Sequence, residues 1–528
     1  MALTAKSYDY IIVGAGSAGS VLASRLTEEP RTRVLLLEAG GADKAREIHI
    51  PAAFSKLFKT AIDWNYSTEP EAQLHNRKLY WPRGKVLGGS SSINAMIYIR
   101  GNPLDYDHWR DLGNPGWGFA DLLPYFKKSE DQERGASDFH GVGGPIRVAD
   151  PRCVNPLTRA FLAAASEIGI PSNPDFNGAA QEGAGLYQLT QKNGARCSAV
   201  DGYLKRALGR PNVTVLTGAH VARVSIENGR ASGVEFLRDG ALNTARADAE
   251  VILAGGTVNS PQILMLSGVG PADELRRFGI DVVQDLPGVG ENLQDHPMVS
   301  VGYFCTQKIS LDGAETLANL LRYLMFKSGP LTSNVAEAGL FLRTRVGAQT
   351  PDLQLLFGPA YYRAHGLVRR KEHCFGFGPT LITPESRGTV ALRSTNALDA
   401  PAIHANYLST DADLRTMIEG VRLARRLAHA KAFDPFRGEE LHPGLNAKSD
   451  DDIVEFLRNE LETLYHPVGT CKMGNDSLAV VDARLRVRGI ERLRVVDASI
   501  MPVVPAGNTN APVITIAEKA VAMIREGA

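Results

Sequence analysis

Residues 8–19, YDYIIVGAGSAG, form an apolar run that ends in three spaced glycines, Gly14, Gly16 and Gly19. The run predicts a buried strand, and the residues that follow, SVLASRL, predict a helix. Glycines between a strand and a helix allow a tight turn and a close approach of the backbone to a phosphate, which then lies at the helix N-terminus. The stretch therefore predicts the first strand, turn and helix of a dinucleotide-binding fold.

A second strand pattern, RVLLLEAGG at 33–41, ends in a carboxylate, Glu38, nineteen residues after Gly19. A carboxylate at this point accepts hydrogen bonds from a ribose diol and repels a 2′-phosphate. The complete pattern indicates dinucleotide binding far more specifically than the glycines alone. It does not separate NAD from FAD, because both present an ADP half to the fold.

Length and composition restrict the class of protein. A chain of 528 residues is long enough for more than one structural unit. Lys+Arg and Asp+Glu both number 58, so no basic excess suggests nucleic acid or an anionic membrane. Five cysteines without a CxxC argue against a disulfide framework or a metal site and favour a reducing, cytoplasmic compartment. No signal-peptide pattern and no run of ~18 apolar residues occurs, which leaves only peripheral membrane contact open.

Two further segments lack the pattern of ordinary scaffold. Residues 82–101, PRGKVLGGSSSINAMIYIRG, combine a glycine pair with serines and no regular periodicity, which suits backbone that approaches a ligand. Residues 255–270, GGTVNSPQILMLSGVG, predict a loop that enters a short apolar helix. A long structural loop and plain scaffold are the alternatives for these two segments.

Together with LPGVGENLQDHP at 286–297, YHPVGTCKMG at 465–474, RVVDASIMP at 494–502 and GNTNAP at 507–512, these motifs resemble, in order, the glucose–methanol–choline (GMC) oxidoreductases. These are flavoproteins that oxidise alcohols with FAD. The resemblance implies an α/β (α+β) fold with a Rossmann-like FAD-binding domain and an interleaved substrate-binding domain of antiparallel sheet and helices. Strand patterns at 8–15, 33–38, 213–217, 232–237, 250–255 and 493–497 agree with a discontinuous first domain. The implied FAD-binding segments are 1–154, 191–299 and 465–528, and the substrate-binding segments are 155–190 and 300–464.

The resemblance also implies which residues hold FAD. Ile93 stands where some relatives carry a histidine bonded covalently to the flavin, so non-covalent FAD is expected. The implied cofactor-binding residues are Gly14, Gly16, Ser17, Ala18, Gly19, Glu38, Ala39, Arg83, Leu87, Gly89, Asn94, Ala95, Met96, Ile97, Val221, Ala254, Gly255, Tyr465, Asp497, Ala498, Asn508, Thr509 and Asn510.

Alcohol oxidation needs a base, because the hydroxyl proton must leave as the hydride departs. Three histidines, His296, His442 and His466, share a His-Pro dipeptide, and chemistry alone does not choose among them. The resemblance implies that His466 is the general base during hydride transfer to flavin N5, and that His296 is structural, with a direct ligand role for His296 as the alternative. Tyr465, directly before the base, is expected to line the pocket.

Two asparagines precede the last helix pattern. In similar sequences the second catalytic residue lies eleven positions before the lysine of the following helix, which from Lys519 gives Asn508. The resemblance thus implies that Asn508 orients the substrate hydroxyl and that Asn510 contacts the flavin and holds the loop. The alternative is that both amides simply cap the helix.

The implied function is oxidation of a primary alcohol, aliphatic or benzylic, to the aldehyde, with electrons passed to a quinone- or dye-type acceptor or to O2. An FAD-containing hydroxynitrile lyase without net redox is the alternative. Choline is not the expected substrate. Glu337 is the one acid considered as a partner for its quaternary ammonium group, and the alternative is that Glu337 makes an ordinary polar contact. Residues 316–331, TLANLLRYLMFKSGPL, predict a helix that is buried or forms a subunit contact, rather than a membrane-surface or quinone-access element. A monomer or a homodimer is expected.

Overall fold

A seven-stranded sheet gathers distant parts of the chain into one half of the molecule, a computed structural model that describes residues 7–527. Residues 1–6 and 528, which carry the start of the N-terminal segment and the outermost bounds of the implied domains, lie outside the described residues. In spatial order the strands are Val213–Thr217, Val34–Glu38, Ser7–Val13, Ala241–Leu253, Arg230–Arg238 and His220–Glu227, with Leu493–Val495 beside Ala241–Leu253.

Most of this first sheet is parallel. Ser7–Val13 pairs in parallel with Val34–Glu38 and with Ala241–Leu253, whose far end pairs in parallel with Leu493–Val495. Every residue of Val34–Glu38 is buried, which explains its unbroken apolar run, since parallel strands are covered on both faces. All six strand patterns predicted from the sequence lie in this sheet, whereas His220–Glu227, which turns back antiparallel on Arg230–Arg238, was not predicted as a strand.

The second sheet is antiparallel and has eight strands. Its main path is Arg437–His442, Val301–Cys305, Cys374–Leu381, Leu353–Gly358, Ala338–Leu342 and Gly183–Leu186, joined by Pro297–Met298 and Glu462–Thr463. It takes strands from both segments implied for substrate binding, and Pro297–Met298 lies just inside the segment implied for FAD. An α/β (α+β) architecture with one mostly parallel and one antiparallel sheet is therefore confirmed.

Twelve α-helices occur in the described residues. Asn510–Glu526 packs against Ser17–Leu26, so the end of the chain covers its first helix. Asp411–Ala428 covers the second sheet and buries Met417, Val421 and Leu427. The helices are Ser17–Leu26, Arg46–His49, Pro103–Asp111, Phe119–Ser129, Pro156–Glu167, Lys205–Ala207, Gly256–Leu266, Ala272–Arg277, Leu317–Phe326, Asp411–Ala428, Asp450–Glu460 and Asn510–Glu526. The remaining strands form two-stranded pairs: Tyr66–Ser67 with Tyr80–Trp81, Glu130–Gln132 with Ile146–Val148, Gln191–Lys192 with Ala195–Arg196, Val269–Gly270 with Gln284–Asp285, and Thr389–Ala391 with Ala402–His404.

The helix predicted within 316–331 is present as Leu317–Phe326, but the prediction that it is buried within the chain is wrong, while a subunit contact stays a prediction. Tyr323 is its one buried residue, while Leu317, Met325 and Phe326 are 71%, 65% and 69% exposed. Periodicity reports that a helix has an apolar stripe but not which way the stripe faces, and here it faces outward. Among the residues the structure describes, no helix is both long enough and apolar enough to cross a membrane.

Candidate active site

A long cleft is lined by residues of both sheets. From the first sheet it takes Val13, Leu37 and Glu38, and from the second it takes Leu356 and Phe377. The glycine turn lies along the same cleft as His466 and Asn508. Residues from the start and the end of the chain therefore meet in one elongated space.

The glycine turn has the backbone geometry of a phosphate-binding turn. Gly14 has φ 98°, and a Cβ there would lie 2.5 Å from the carbonyl oxygen of Ala254, so no side chain fits. A Cβ on Gly89 would lie 2.8 Å from Gly16 Cα, which shows that the 82–101 segment reaches the turn. Helix Ser17–Leu26 begins with no side-chain cap and no acid in its first turn, so its first amide groups are left for an anion.

Glu38 lies in the cleft at the end of its strand. Its Oε2 accepts from the Ala15 amide at 2.9 Å and its Oε1 from the Gly40 amide at 2.8 Å. Burial raises the pKa of this carboxyl to about 7, although the two backbone hydrogen bonds oppose the shift. The carboxyl is thus fixed in place with acceptor capacity left for a diol.

Asp497 ties the C-terminal segment to the cleft. Its Oδ2 accepts from the Gly256 amide at 2.9 Å and from Ser260 Oγ at 2.6 Å, and its Oδ1 accepts from the Ser499 amide at 2.8 Å. These bonds hold the start of helix Gly256–Leu266 against the 494–502 segment. The 255–270 segment is therefore part of the cleft, since Gly255 also lines it.

His466 is buried at the cleft between two polar side chains. Its Nδ1 lies 3.0 Å from Nδ1 of His296, and its Nε2 lies 3.2 Å from Nδ2 of Asn508. Gln354 Nε2 approaches Asn508 Oδ1 at 3.5 Å, which sets the direction of the amide. Burial, aided by His296 and by the positive charge of Arg83, holds the pKa of His466 well below its usual value. The ring is therefore neutral near pH 7 and has a lone pair for a proton.

The backbone around His466 is held from two sides. Asp295 Oδ1 accepts from the His466 amide at 2.8 Å. Tyr465, directly before it, adopts φ 71°, a strained conformation for a side chain of this size. Arg83 donates to the Tyr465 carbonyl at 2.6 Å, and the Tyr465 hydroxyl lies 2.9 Å from that of Tyr362. The position of the imidazole is therefore determined by buried polar contacts rather than by a flexible loop.

The two asparagines have different neighbours. Asn508 contacts His466, whereas Asn510 Oδ1 accepts from Ser17 Oγ at 2.7 Å, beside the glycine turn. Asn510 is the first residue of helix Asn510–Glu526, and neither it nor the preceding Thr509 caps that helix through its side chain. The amide oxygens of Asn508 and Asn510 accept from the side chains of Gln354 and Ser17 instead of from the helix backbone, so neither amide caps the helix.

Nearly all residues predicted for the site line the cleft, and two do not. Gly19 packs its backbone on the turn, where a Cβ would lie 1.9 Å from the Gly14 carbonyl oxygen, so its role is close packing of helix on strand. Leu87 is buried in the core of the first sheet. The predicted residues that line the cleft are Gly14, Gly16, Ser17, Ala18, Glu38, Ala39, Arg83, Gly89, Asn94, Ala95, Met96, Ile97, Val221, Ala254, Gly255, Tyr465, His466, Asp497, Ala498, Asn508, Thr509 and Asn510.

An aromatic and aliphatic wall was missed from the sequence. Phe54, Phe58, Tyr362, Met298 and Leu356 line the cleft. They come from four separate segments, and only the spacing of Phe54 and Phe58, four residues apart on one side of a helical turn, offered a signal. The wall supplies the apolar surface that a site for a small organic molecule needs.

The residues present fit FAD. The uncapped helix start suits a pyrophosphate, Glu38 suits a ribose diol, and the cleft continues from them to His466 and Asn508. Ile93 lines the cleft and has no nucleophilic atom for a covalent bond to the flavin. Among the described residues no cluster of histidine, cysteine and carboxylate side chains could hold a metal ion.

The family models that match the chain are both described as GMC oxidoreductase, over residues 8–298 and 384–517. The chain is 46% identical to mitochondrial choline dehydrogenase of Mus musculus, over 98% of this chain and 89% of that protein. It is 45% identical to alcohol dehydrogenase (acceptor) of Pseudomonas putida, over 98% and 95% of the two chains. A solved structure of pyridoxine 4-oxidase from Mesorbium loti superposes with a TM-score of 0.91 at 34% identity, over 98% of this chain and 99% of that one.

Proposed function

Because the chain belongs to the GMC oxidoreductase family, an FAD-dependent family of alcohol-oxidising enzymes, we propose that it oxidises a neutral primary alcohol to the aldehyde with His466 as general base. The observation that carries the proposal is the contact of 3.2 Å between His466 Nε2 and Asn508 Nδ2 at one cleft. A neutral imidazole and an amide side by side can take a hydroxyl proton and hold the oxygen that loses it.

His466 and Asn508 have different parts in the proposed reaction. The substrate hydroxyl replaces Asn508 Nδ2 at the lone pair of His466 Nε2, which accepts the hydroxyl proton while Nδ1 stays engaged with His296. Asn508 Nδ2 then donates to the substrate oxygen, and as a neutral group the amide does not compete for the proton. When bound, FAD supplies the acceptor for the hydride that leaves the substrate carbon. The remaining cofactor residues hold FAD along the cleft.

The charge of the cleft favours a neutral substrate. Of the described residues that line it, Glu38 and Asp497 are the carboxylates, and both lie at the nucleotide side, bonded to backbone amides. Glu337 does not line the cleft, because its carboxylate is buried against Ser333, Thr158 and the Asn155 amide. A quaternary ammonium group would lack a carboxylate partner here. We therefore propose an aliphatic or benzylic alcohol rather than choline, despite the likeness to choline dehydrogenase.

The acceptor that we propose is of the quinone or dye type, with O2 as the alternative. The names of the relatives include both dehydrogenases and oxidases, so similarity alone does not identify the electron acceptor. Cytoplasmic location and a monomeric or homodimeric state stay predictions from the sequence.

A panel of alcohols assayed with O2 and with an artificial dye tests the proposal. We expect benzyl alcohol or a longer aliphatic alcohol to bleach the flavin under anaerobic conditions and choline to do so at least tenfold more slowly. Rapid bleaching by choline would contradict the neutral-substrate assignment. A flavin that no alcohol bleaches, in an enzyme that cleaves a cyanohydrin, would instead support the lyase alternative.

A further inference from the structure

Helix Leu317–Phe326 turns its apolar stripe to solvent. Leu317, Leu320, Leu321 and Leu324 follow the i, i+3, i+4, i+7 spacing of one helix face, and they are 71%, 37%, 46% and 54% exposed. An ordinary surface helix turns such a stripe to the core. Tyr323, the one buried residue of the helix, donates its hydroxyl to the His49 carbonyl at 2.7 Å and fixes the helix to the body of the protein. The outward orientation is therefore part of the fold.

A neighbouring loop enlarges this surface. Glu315, two residues before the helix, pairs with Arg369 at 3.0 Å and with Lys56 at 3.0 Å, which ties residues 367–372 to the helix start. Exposed apolar side chains from the helix and the loop together define the apolar patch: Leu317, Leu320, Leu321, Leu324, Met325, Phe326, Leu367 and Val368. Clustering of this kind exceeds the scattered exposed apolar residues of a monomer surface.

The apolar patch is framed by positive charge. Residues 315–327 and 367–373 contain two acids, Glu315 and Glu372, against five cations, Arg322, Lys327, Arg369, Arg370 and Lys371, a net charge of +3 in a chain whose formal net charge is zero. An apolar helix face with Arg and Lys at its margins is the composition of helices that lie in the headgroup region of anionic membranes.

We propose that the apolar patch docks this protein on the surface of an anionic phospholipid bilayer, with Leu317–Phe326 lying in the headgroup region. A second copy of the chain is a poorer occupant, because a two-fold dimer through this surface would place the two +3 patches opposite each other. Docking is a property of the surface and does not depend on the substrate or on the base proposed above.

The patch borders the cleft. Phe54 and Phe58 line the cleft and flank Lys56, and Tyr362 lines it five residues before Leu367. Val335, also in the lining, follows the turn Pro330–Thr332 against which the helix packs. A membrane-docked molecule would thus hold the aromatic side of its cleft close to the lipid, where an apolar alcohol or acceptor concentrates.

Flotation of the FAD-loaded full chain with lipid vesicles tests the proposal. We expect binding to vesicles of phosphatidylglycerol and phosphatidylcholine, and at least tenfold weaker binding to phosphatidylcholine alone or in high salt. The double variant Leu321→Asp/Leu324→Asp should lose at least tenfold in vesicle binding, and Arg369→Glu/Lys371→Glu should lose the preference for anionic lipid.

The matched control is the double variant Leu242→Asp/Leu398→Asp. It changes two leucines outside the patch that are 59% and 61% exposed, and it should bind vesicles as the unaltered protein does. Flavin absorbance and unfolding midpoint show that each variant is folded. The proposal is overturned if the unaltered protein does not bind vesicles. It is also overturned if the Leu321→Asp/Leu324→Asp variant binds vesicles as strongly as the unaltered protein does. A dimer that this variant converts to monomer overturns it too, because the patch would then be a subunit interface.

Discussion

The imidazole rings of His296 and His466 meet almost at right angles, at 89°, with their Nδ1 atoms 3.0 Å apart. Two facing ring nitrogens at this distance can share one hydrogen, so one ring donates and the other accepts. With the hydrogen on Nδ1 of His466, its Nε2 keeps a lone pair towards the cleft. Burial lowers the pKa of His296 to about 3, so that ring stays neutral and can act as the acceptor.

We expect the His466→Ala variant to retain FAD. The alcohol should reduce this FAD about 10²- to 10⁴-fold more slowly than it does in the unaltered protein, since a general base contributes about that much. Stopped-flow absorbance at saturating alcohol measures the rate, and the flavin spectrum shows that the cofactor is retained. His75→Ala, at an exposed histidine paired with Glu455, is the control and should reduce FAD normally. An unchanged rate in His466→Ala would show that another group takes the proton.

The two asparagines should separate by phenotype. Loss of one orienting hydrogen bond in Asn508→Ala should slow flavin reduction on the order of 10- to 100-fold, or roughly 1.4–2.7 kcal/mol, with FAD still bound. Asn510→Ala loses the bond to Ser17 beside the glycine turn and should instead bind FAD more weakly. Stopped-flow reduction and FAD titration of the two variants measure the contrast, and the reverse pattern would contradict both assignments.

The pH dependence follows from the environment of His466. Because its pKa lies well below 6.5 in the folded protein, the neutral base persists as pH falls through 6.5. We therefore expect kcat/KM for the alcohol to stay level from pH 8 down to 6.5 and to fall only in more acidic buffer. Rates corrected for FAD content across pH 5–8 check this. A midpoint of activity loss above pH 7 would place the titrating base elsewhere.

FAD should dissociate intact when the protein unfolds. Ile93 in the cleft offers no atom for a covalent bond, so acid precipitation should leave the yellow colour in the supernatant. Colour that stays in the protein pellet would falsify the non-covalent assignment. Absorbance of the two fractions near 450 nm is the measurement, and a flavoprotein with covalently bound FAD is the control.

Stability should fall in alkali because of a buried cluster outside the site. His140 lies 3.0 Å from Glu130 and 2.9 Å from Asp175. Burial alone would lower its pKa, but these bonds outweigh burial and raise it to about 9 from 6.5. A raised pKa stabilises the fold fully below pH 6.5, and this stabilisation disappears as pH rises through 9, on the order of 3 kcal/mol in all.

Urea unfolding at pH 6 and pH 9.5 measures the loss. The variant His140→Gln should be less stable than the unaltered protein at pH 6 and should lose less stability between the two values. His75→Gln, at an exposed pair, should behave as the unaltered protein does. Equal pH dependence in His140→Gln and the unaltered protein would remove His140 as the cause.

Local motifs made the nucleotide half of the cleft predictable. Gly14 and Glu38 lie in one strand–turn–helix–strand unit, whose spacing alone fixes where a backbone turn and a carboxylate lie. His466 and Asn508 are 42 residues apart, and no local pattern joins them; their implied roles came from family resemblance. The structure places them in contact, while their roles stay predictions.

The aromatic wall and the surface helix were beyond sequence reasoning for different physical reasons. Phe54 and Tyr362 meet through tertiary packing of segments that share no periodicity. For Leu317–Phe326 the apolar pattern was correctly taken as a helix, but burial depends on what the rest of the chain places against it. Only Tyr323 is buried against the rest of the protein, so a helix with a pattern typical of core helices lies on the surface.

The position of Leu493–Val495 in the first sheet has a consequence for synthesis on the ribosome. This strand pairs with Ala241–Leu253, across a loop of about 240 residues whose closure carries an entropic cost. A nascent chain in which residues 493–526 have not yet folded lacks that strand, Asn508 and the helix that covers Ser17–Leu26. We therefore infer that FAD is captured fully only after residues 493–526 have been synthesised and have joined the first sheet.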